Sequence, residues 1–231
     1  MPRPLAWVGS SKDDLKAFPD HAQDHIGFAL YQAQLGLKHP DAKPLAGFGS
    51  GVMEIVSNVA GNTFRAVYAV RFREAVYVLH SFQKKSRRGI ATPRAELETI
   101  RRRLRAAEQH YNAAYGKDGK SMSKGEDNRI ERSSGNVFAD LERPGAEEHL
   151  LKAELVSRIS QTIRERRLTQ ANAAELLHLS QPDVSRLLRG DFREYSVERL
   201  FRLLNTLGRD VEIRIRRSPA RRRGRLIINA A

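Results

Sequence analysis

A chain of 231 residues with 41 Lys and Arg against 27 Asp and Glu carries a formal charge of +14, which suits a polyanion or an acidic surface as partner and disfavours a basic one. There is no cysteine, so neither disulfides nor thiolate zinc sites hold the fold, and no apolar run approaches the roughly 20 residues of a membrane helix. With no signal pattern at its start, the chain reads as soluble and cytoplasmic, long enough for two ordinary domains, and without a cofactor or metal motif.

In chain order, a short apolar stretch, Leu5 to Val8, precedes a helical segment from Asp20 to Leu35 with Ile26, Ala29, Leu30 and Ala33 on one face. Three strands are predicted next: Val52 to Val59, Thr63 to Phe72 after a turn at Ala60, Gly61 and Asn62, and Ala75 to Lys84. They should form an antiparallel meander. Thr92 and Pro93 open a further helix with Leu97, Ile100 and Leu104 inside and Arg101, Arg102, Arg103 and Arg105 mostly outside. Residues 116 to 136, GKDGKSMSKGEDNRIERSSGN, are nearly empty of large apolar side chains and read as a linker, in which Met122 looks like the start of a once separate reading frame.

Beyond the linker, Val137 to Leu141 lead to a helix opening near Ala146 with a stripe of Leu151, Leu155, Ile159 and Ile163. Thr169 is placed to cap a helix carrying Ala173, Ala174, Leu176 and Leu177 that ends near His178. Ser180 caps the next, with Pro182 in its first turn, Val184, Leu187 and Leu188 inside, and Gly190 as the stop. Ser196 caps a helix with Leu200, Leu203, Leu204 and Leu207. Arg209 to Arg217 then alternates Val211, Ile213 and Ile215 with Glu212, Arg214 and Arg216, a strand that wants a partner in another chain or in the first half. The tail, 219 to 231, reads as a loose basic arm.

The stretch LTQANAAELLHLSQPDVSRLLRG is a helix-turn-helix pattern and resembles the lambda-repressor-like (XRE) family over residues 150 to 208. His178 departs from it, standing where the family usually has Gly at a turn position favouring positive φ. The resemblance implies DNA binding, with Gln170, Ser180, Gln181, Asp183, Ser185, Arg186 and Arg189 as the groups that meet DNA.

In the first half, KPLAGFGSGVMEIV, FRAVYAV and YVLHSFQKKS resemble the HigB-like group of the RelE superfamily of bacterial toxins, over residues 5 to 107. That resemblance implies a small ribonuclease that cuts messenger RNA on the ribosome without a metal, and an XRE-type, HigA-like antitoxin as its usual partner. Cleavage by a ribose 2'-hydroxyl needs proton transfer and positive charge on the phosphorane. Arg65, in the strand that matches the family's phosphate-contacting arginine, is the candidate for that charge, with Lys84 and Lys85 behind it and Glu54 and His80 as acid or base. Lys43, Arg71, Arg87 and Arg88 would hold RNA backbone. Each has a plainer reading: solvated strand-face arginines, a basic edge that blocks aggregation, a half-buried histidine, and a glutamate paired with a neighbouring arginine.

The expected fold is α+β: a RelE-like small antiparallel sheet with helices in residues 1–115, a linker 116–136, an all-helical lambda-repressor-like helix-turn-helix domain with a C-terminal strand in 137–218, and the tail. The expected function is a toxin-antitoxin module in one chain, with operator DNA, messenger RNA and the ribosome as its partners and a homodimer on DNA. The alternative is a transcriptional regulator whose first half is a non-catalytic sensor or binding module.

Overall fold

The computed structural model describes residues 2–84, 92–115, 129–214 and 217. The chain divides into two compact units, Met1–Pro144 and Gly145–Ala231. The first holds a six-stranded sheet in the order β2-β3-β4-β5-β1-β6, built from β1 (Leu5–Val8), β2 (Ala42–Pro44), β3 (Val52–Val59), β4 (Asn62–Ala69), β5 (Val76–Lys84) and β6 (Ile130–Arg132). Its helices are α1 (Ser11–Lys16), α2 (Asp20–Gln34), α3 (Arg94–Tyr115) and α4 (Val137–Asp140).

The expected meander of β3, β4 and β5 is present, with Val52 opposite Ala69 and Val59 opposite Asn62 across a turn in which Ala60 and Gly61 both take positive φ. The sheet as a whole is mixed rather than antiparallel. The stretch Leu5–Val8 is buried in full and pairs parallel with β5, as a strand can once a long crossover returns the chain to its side. Nothing in the local pattern of four apolar residues reveals that partner.

Each face of the sheet carries a helical layer. Ile100, Leu104 and Ala107 of α3 pack with Val67, Ala69, Tyr77 and Leu79 on one face. On the other, Phe18 meets Phe64 at 4.9 Å, and Ile26, Phe28 and Leu30 of α2 are buried. Of the arginine run expected on a wet helix surface, Arg103 is an exception: it is buried, and its guanidinium donates to the Leu79 carbonyl at 3.1 Å and the Ser10 hydroxyl at 2.7 Å.

The segment expected to be linker and the start of the DNA-binding half departs most from expectation. β6 pairs antiparallel with β1, and Val137, Phe138 and Leu141 are buried in the first unit. By packing, the first unit runs on to Pro144, past the boundary expected at 136. Residues 116–128 of the expected linker lie outside the described residues.

The second unit is α5 (Ala146–Glu165), α6 (Gln170–Leu177), α7 (Gln181–Leu188) and α8 (Val197–Thr206). Leu155, Ile159 and Ile163 of α5, Ala173 and Leu177 of α6, Val184, Leu187 and Leu188 of α7 and Leu200, Leu203 and Leu204 of α8 are its buried residues, each set at helical spacing. The C-terminal strand is not found over 209–214, which are irregular, with Ile213 70% exposed; a three-residue alternation without a ladder partner does not hold a strand. Residues 215 and 216 and the tail lie outside the described residues.

Candidate nucleic-acid interfaces

In the second unit the caps build the presentation. The Thr169 hydroxyl accepts the Asn172 N–H at 3.1 Å, and the Ser180 hydroxyl accepts the Asp183 N–H at 3.2 Å while donating to the Asp183 carboxylate at 2.6 Å. Between the two helices His178 ends α6 in the left-handed region at φ 52 and ψ 42, the conformation that the turn requires of any residue there. Two N-caps and one left-handed C-cap therefore fix the angle at which α7 leaves α6.

Of the residues expected to meet DNA, Gln170, Ser180, Gln181, Arg186 and Arg189 are exposed, and Asp183 and Ser185 are half-buried. Gln181, Asp183, Ser185, Arg186 and Arg189 all lie on or beside α7. Asp183 also pairs with the Arg186 guanidinium; hydrogen bonds from Ser180 and Arg186 hold its carboxyl below its ordinary range. The pair makes α7 nearly neutral at its start and holds the Arg186 fork in place. The arrangement offers amide, hydroxyl and guanidinium donors at the N-terminal end of an exposed helix, the end that enters a major groove in such motifs.

In the first unit, the sheet register puts Lys43, Glu54, Arg65, His80 and Lys84 on the face that α3 covers: Lys43 stands opposite Glu54, Glu54 opposite Val67, His80 opposite Val67, and Lys84 opposite Thr63. They do not form an open cationic site. Arg65 is 6% exposed, and one of its guanidinium nitrogens donates to Glu54 at 2.7 Å and to the Thr92 hydroxyl at 3.2 Å. Thr92 in turn donates to the same Glu54 oxygen at 3.1 Å. The expected phosphate ligand is thus a buried ion pair that carries no net charge, and Glu54 is its partner.

His80 is likewise buried, stacked on Phe82 at 5.2 Å. Arg103 donates to its Nδ1 at 2.9 Å, so its proton sits on Nε2, which donates to Glu96 at 2.6 Å. Burial foremost, with Arg103 adding to it, lowers the pKa of the ring against the opposing pull of Glu96 and Asp14. Both ring nitrogens are thereby committed. Arg103, Glu96, Ser10 and Asp14 are members of this cluster that the sequence reading missed; the i to i+7 spacing of Glu96 and Arg103 on α3 was the available signal.

Lys43 and Arg71 are exposed, Arg71 paired with Glu108 of α3, and Lys84 is half-buried. Lys85, Arg87 and Arg88 lie outside the described residues. Among the described residues one group has the spacing of metal ligands, His25, His39 and Asp41. His39 Nδ1 accepts the Asp41 N–H at 3.1 Å, His25 Nε2 lies 3.1 Å from the Asp41 carboxylate, and the His25 and His39 rings meet edge to face at 5.0 Å, so the group ties α2 to the loop before β2. No described helix is long and apolar enough to cross a membrane.

An α+β unit joined to capped tandem helices of this geometry defines a DNA-binding protein of the helix-turn-helix class, and residues 137–216 match the family model described as a helix-turn-helix domain. Residues 13–105 match the model described as phage derived protein Gp49-like. A solved chain provisionally described as an XRE family transcriptional regulator is 44% identical, covering 38% of this chain and 100% of that one, with a TM-score of 0.37. The chain thus carries a segment similar to helix-turn-helix domains over residues 137–216 and one similar to Gp49-like phage proteins over residues 13–105. No curated protein matches the chain.

Proposed function

We propose that the chain is a toxin-antitoxin module in one polypeptide: the second unit binds and represses its own operator as a dimer, and the first is a HigB-type domain directed at messenger RNA on the ribosome. The observation that carries it is the junction of a Gp49-like domain to an XRE-type unit whose recognition helix stands exposed. Two α7 helices would sit about 34 Å apart on an inverted repeat. Arg186→Ala should weaken operator binding in a gel-shift titration, and unchanged affinity would remove α7 as the reading helix.

A specific observation favours a second reading of the first unit, in which it binds without cutting: Arg65 and Glu54 are paired with each other in the interior and both nitrogens of His80 are engaged. In the cutting reading, positive charge comes from Lys84 and Lys85, with the Arg65 pair positioning the end of the sheet beside them. Expression of residues 1–144, followed by mapping of transcript ends, separates the two. Growth arrest with new 5' ends that a Lys84→Ala, Lys85→Ala double variant abolishes supports cutting, whereas arrest with intact transcripts supports binding alone.

A further inference from the structure

We propose that residues 129–144 are a recognition segment, and that the edge of β1 away from β5, with the adjoining surface of α1 and α2, is a peptide-binding site that takes it. The site would hold the segment without the covalent link through 116–128. The proposal uses the module reading above for its purpose alone; its evidence is the packing. The helix-turn-helix family model begins at residue 137, yet the chain up to Pro144 packs with the first unit. What belongs to the DNA-binding family by sequence is thus lodged in the Gp49-like domain.

The segment binds by strand addition followed by one helical turn. Ile130, Glu131 and Arg132 pair with Val8, Trp7 and Ala6, and the ladder is extended by Gly9 N–H to the Arg129 carbonyl at 2.8 Å and Ser133 N–H to the Leu5 carbonyl at 2.9 Å. The Asn136 side chain then caps α4 by accepting the Phe138 and Ala139 N–H groups. Three strand residues and a four-residue helix are too short to order themselves, so the receiving surface orders them.

That surface is specific in shape and in charge. A Cβ at Gly27 of α2 would lie 3.0 Å from the ring of Phe138, so the absent side chain is the notch that admits it. The Trp7 indole, fully buried, donates to one oxygen of Asp140 at 2.9 Å, and the Ser134 N–H donates to the other at 2.9 Å. Arg143, nine-tenths buried, reaches Asp20 at 2.5 Å and Asp24 at 3.2 Å. At the rim Lys12 pairs with Glu131 at 2.6 Å and Lys16 with Glu142 at 2.7 Å. Cations on α1 meet anions of the segment and anions on α2 meet its cation. The ligand is therefore defined chemically: an extended strand with a single Glu facing a lysine, an Asx-capped turn presenting Phe and Asp, and an Arg.

The test uses the full chain with a site-specific protease sequence inserted after Lys120. After cleavage the two fragments should elute together, with the emission of the single tryptophan, Trp7, unchanged. Phe138→Ala in the segment and Gly27→Val in the site should each weaken the association of the cut fragments roughly a hundredfold or more, releasing them and shifting the emission to the red. Asp140→Asn, a shape-conserving change, should weaken it less while still altering the emission. Fragments of the unvaried chain that separate on cutting overturn the proposal, as do variants that hold as tightly as the unvaried chain. Operator binding and transcript cleavage, scored on the same cut material, report on the module reading, and either can fail while the fragments stay together.

Discussion

Arg65 and Glu54 show how the identity of a residue is decided by its neighbours in space. Removing one partner of a buried ion pair strands the other, at a cost of about 3–5 kcal/mol. Arg65→Ala should therefore lower the stability of the first unit by that order in denaturant titration, and an Arg65→Met, Glu54→Leu double variant should recover much of the loss. Recovery of stability by the double variant would show the pair to be structural, whereas an Arg65→Ala change of under about 1 kcal/mol would show the guanidinium to be solvated. From sequence, Arg65 reads as the polar side of an alternating strand; its partner sits on the neighbouring strand in a register that no local pattern states.

His80 makes a pH prediction. Its pKa is lowered in the fold, so it remains neutral there while the unfolded ring takes up a proton near pH 6.5. The stability this gives is present above that pH and is lost as pH falls toward the folded pKa. The denaturation midpoint of the first unit should decline between about pH 7 and pH 5, and His80→Gln should flatten that decline. An unchanged slope in the variant would assign the decline to other groups, His110 first, whose pKa is also lowered by burial.

At the scale of elements, the second unit was legible because its signals are local. Thr169, Ser180 and Ser196 each stand one residue before the helix that they cap, and each side chain accepts a backbone N–H three residues on. Ser180→Ala should cost about 0.5–2 kcal/mol of stability and weaken operator binding beyond that, because the hydroxyl also steers Asp183 and through it Arg186. Binding that falls only as far as the folded fraction falls would deny the steering. The strands β3 to β5 were equally legible, since alternation and a turn of two positive-φ residues suffice to announce a meander. β1 and β6 were not: four and three residues carry little periodicity, and the partner of β6 lies more than 120 residues away in the chain. The packing of α4 was hidden for a related reason, as its apolar residues look inward to a core that is not the nearest one in sequence.

For the whole molecule, the distinction between composition and packing has practical weight. The linker-like composition of 116–136 invites truncation at 115, which would remove β6 and the partner of the Trp7 indole. A fragment of residues 1–144 should therefore unfold cooperatively with buried-type Trp7 emission, whereas 1–115 should show red-shifted emission and a lower midpoint. Equal midpoints and emission would make the last two elements ornamental. The charge excess is shared by both halves, 8 up to residue 121 and 6 beyond it, so operator affinity should fall steeply with salt even though Asp183 offsets Arg186 locally.

The place of residues 129–144 in the chain has a consequence in time. A ribosome releases the first 128 residues before the strand that finishes their sheet, so the newborn Gp49-like domain waits, one margin bare, for the next few codons. The stretch that ends the wait is also the doorway to the DNA reader, and a polypeptide that completes the one has already committed to making the other.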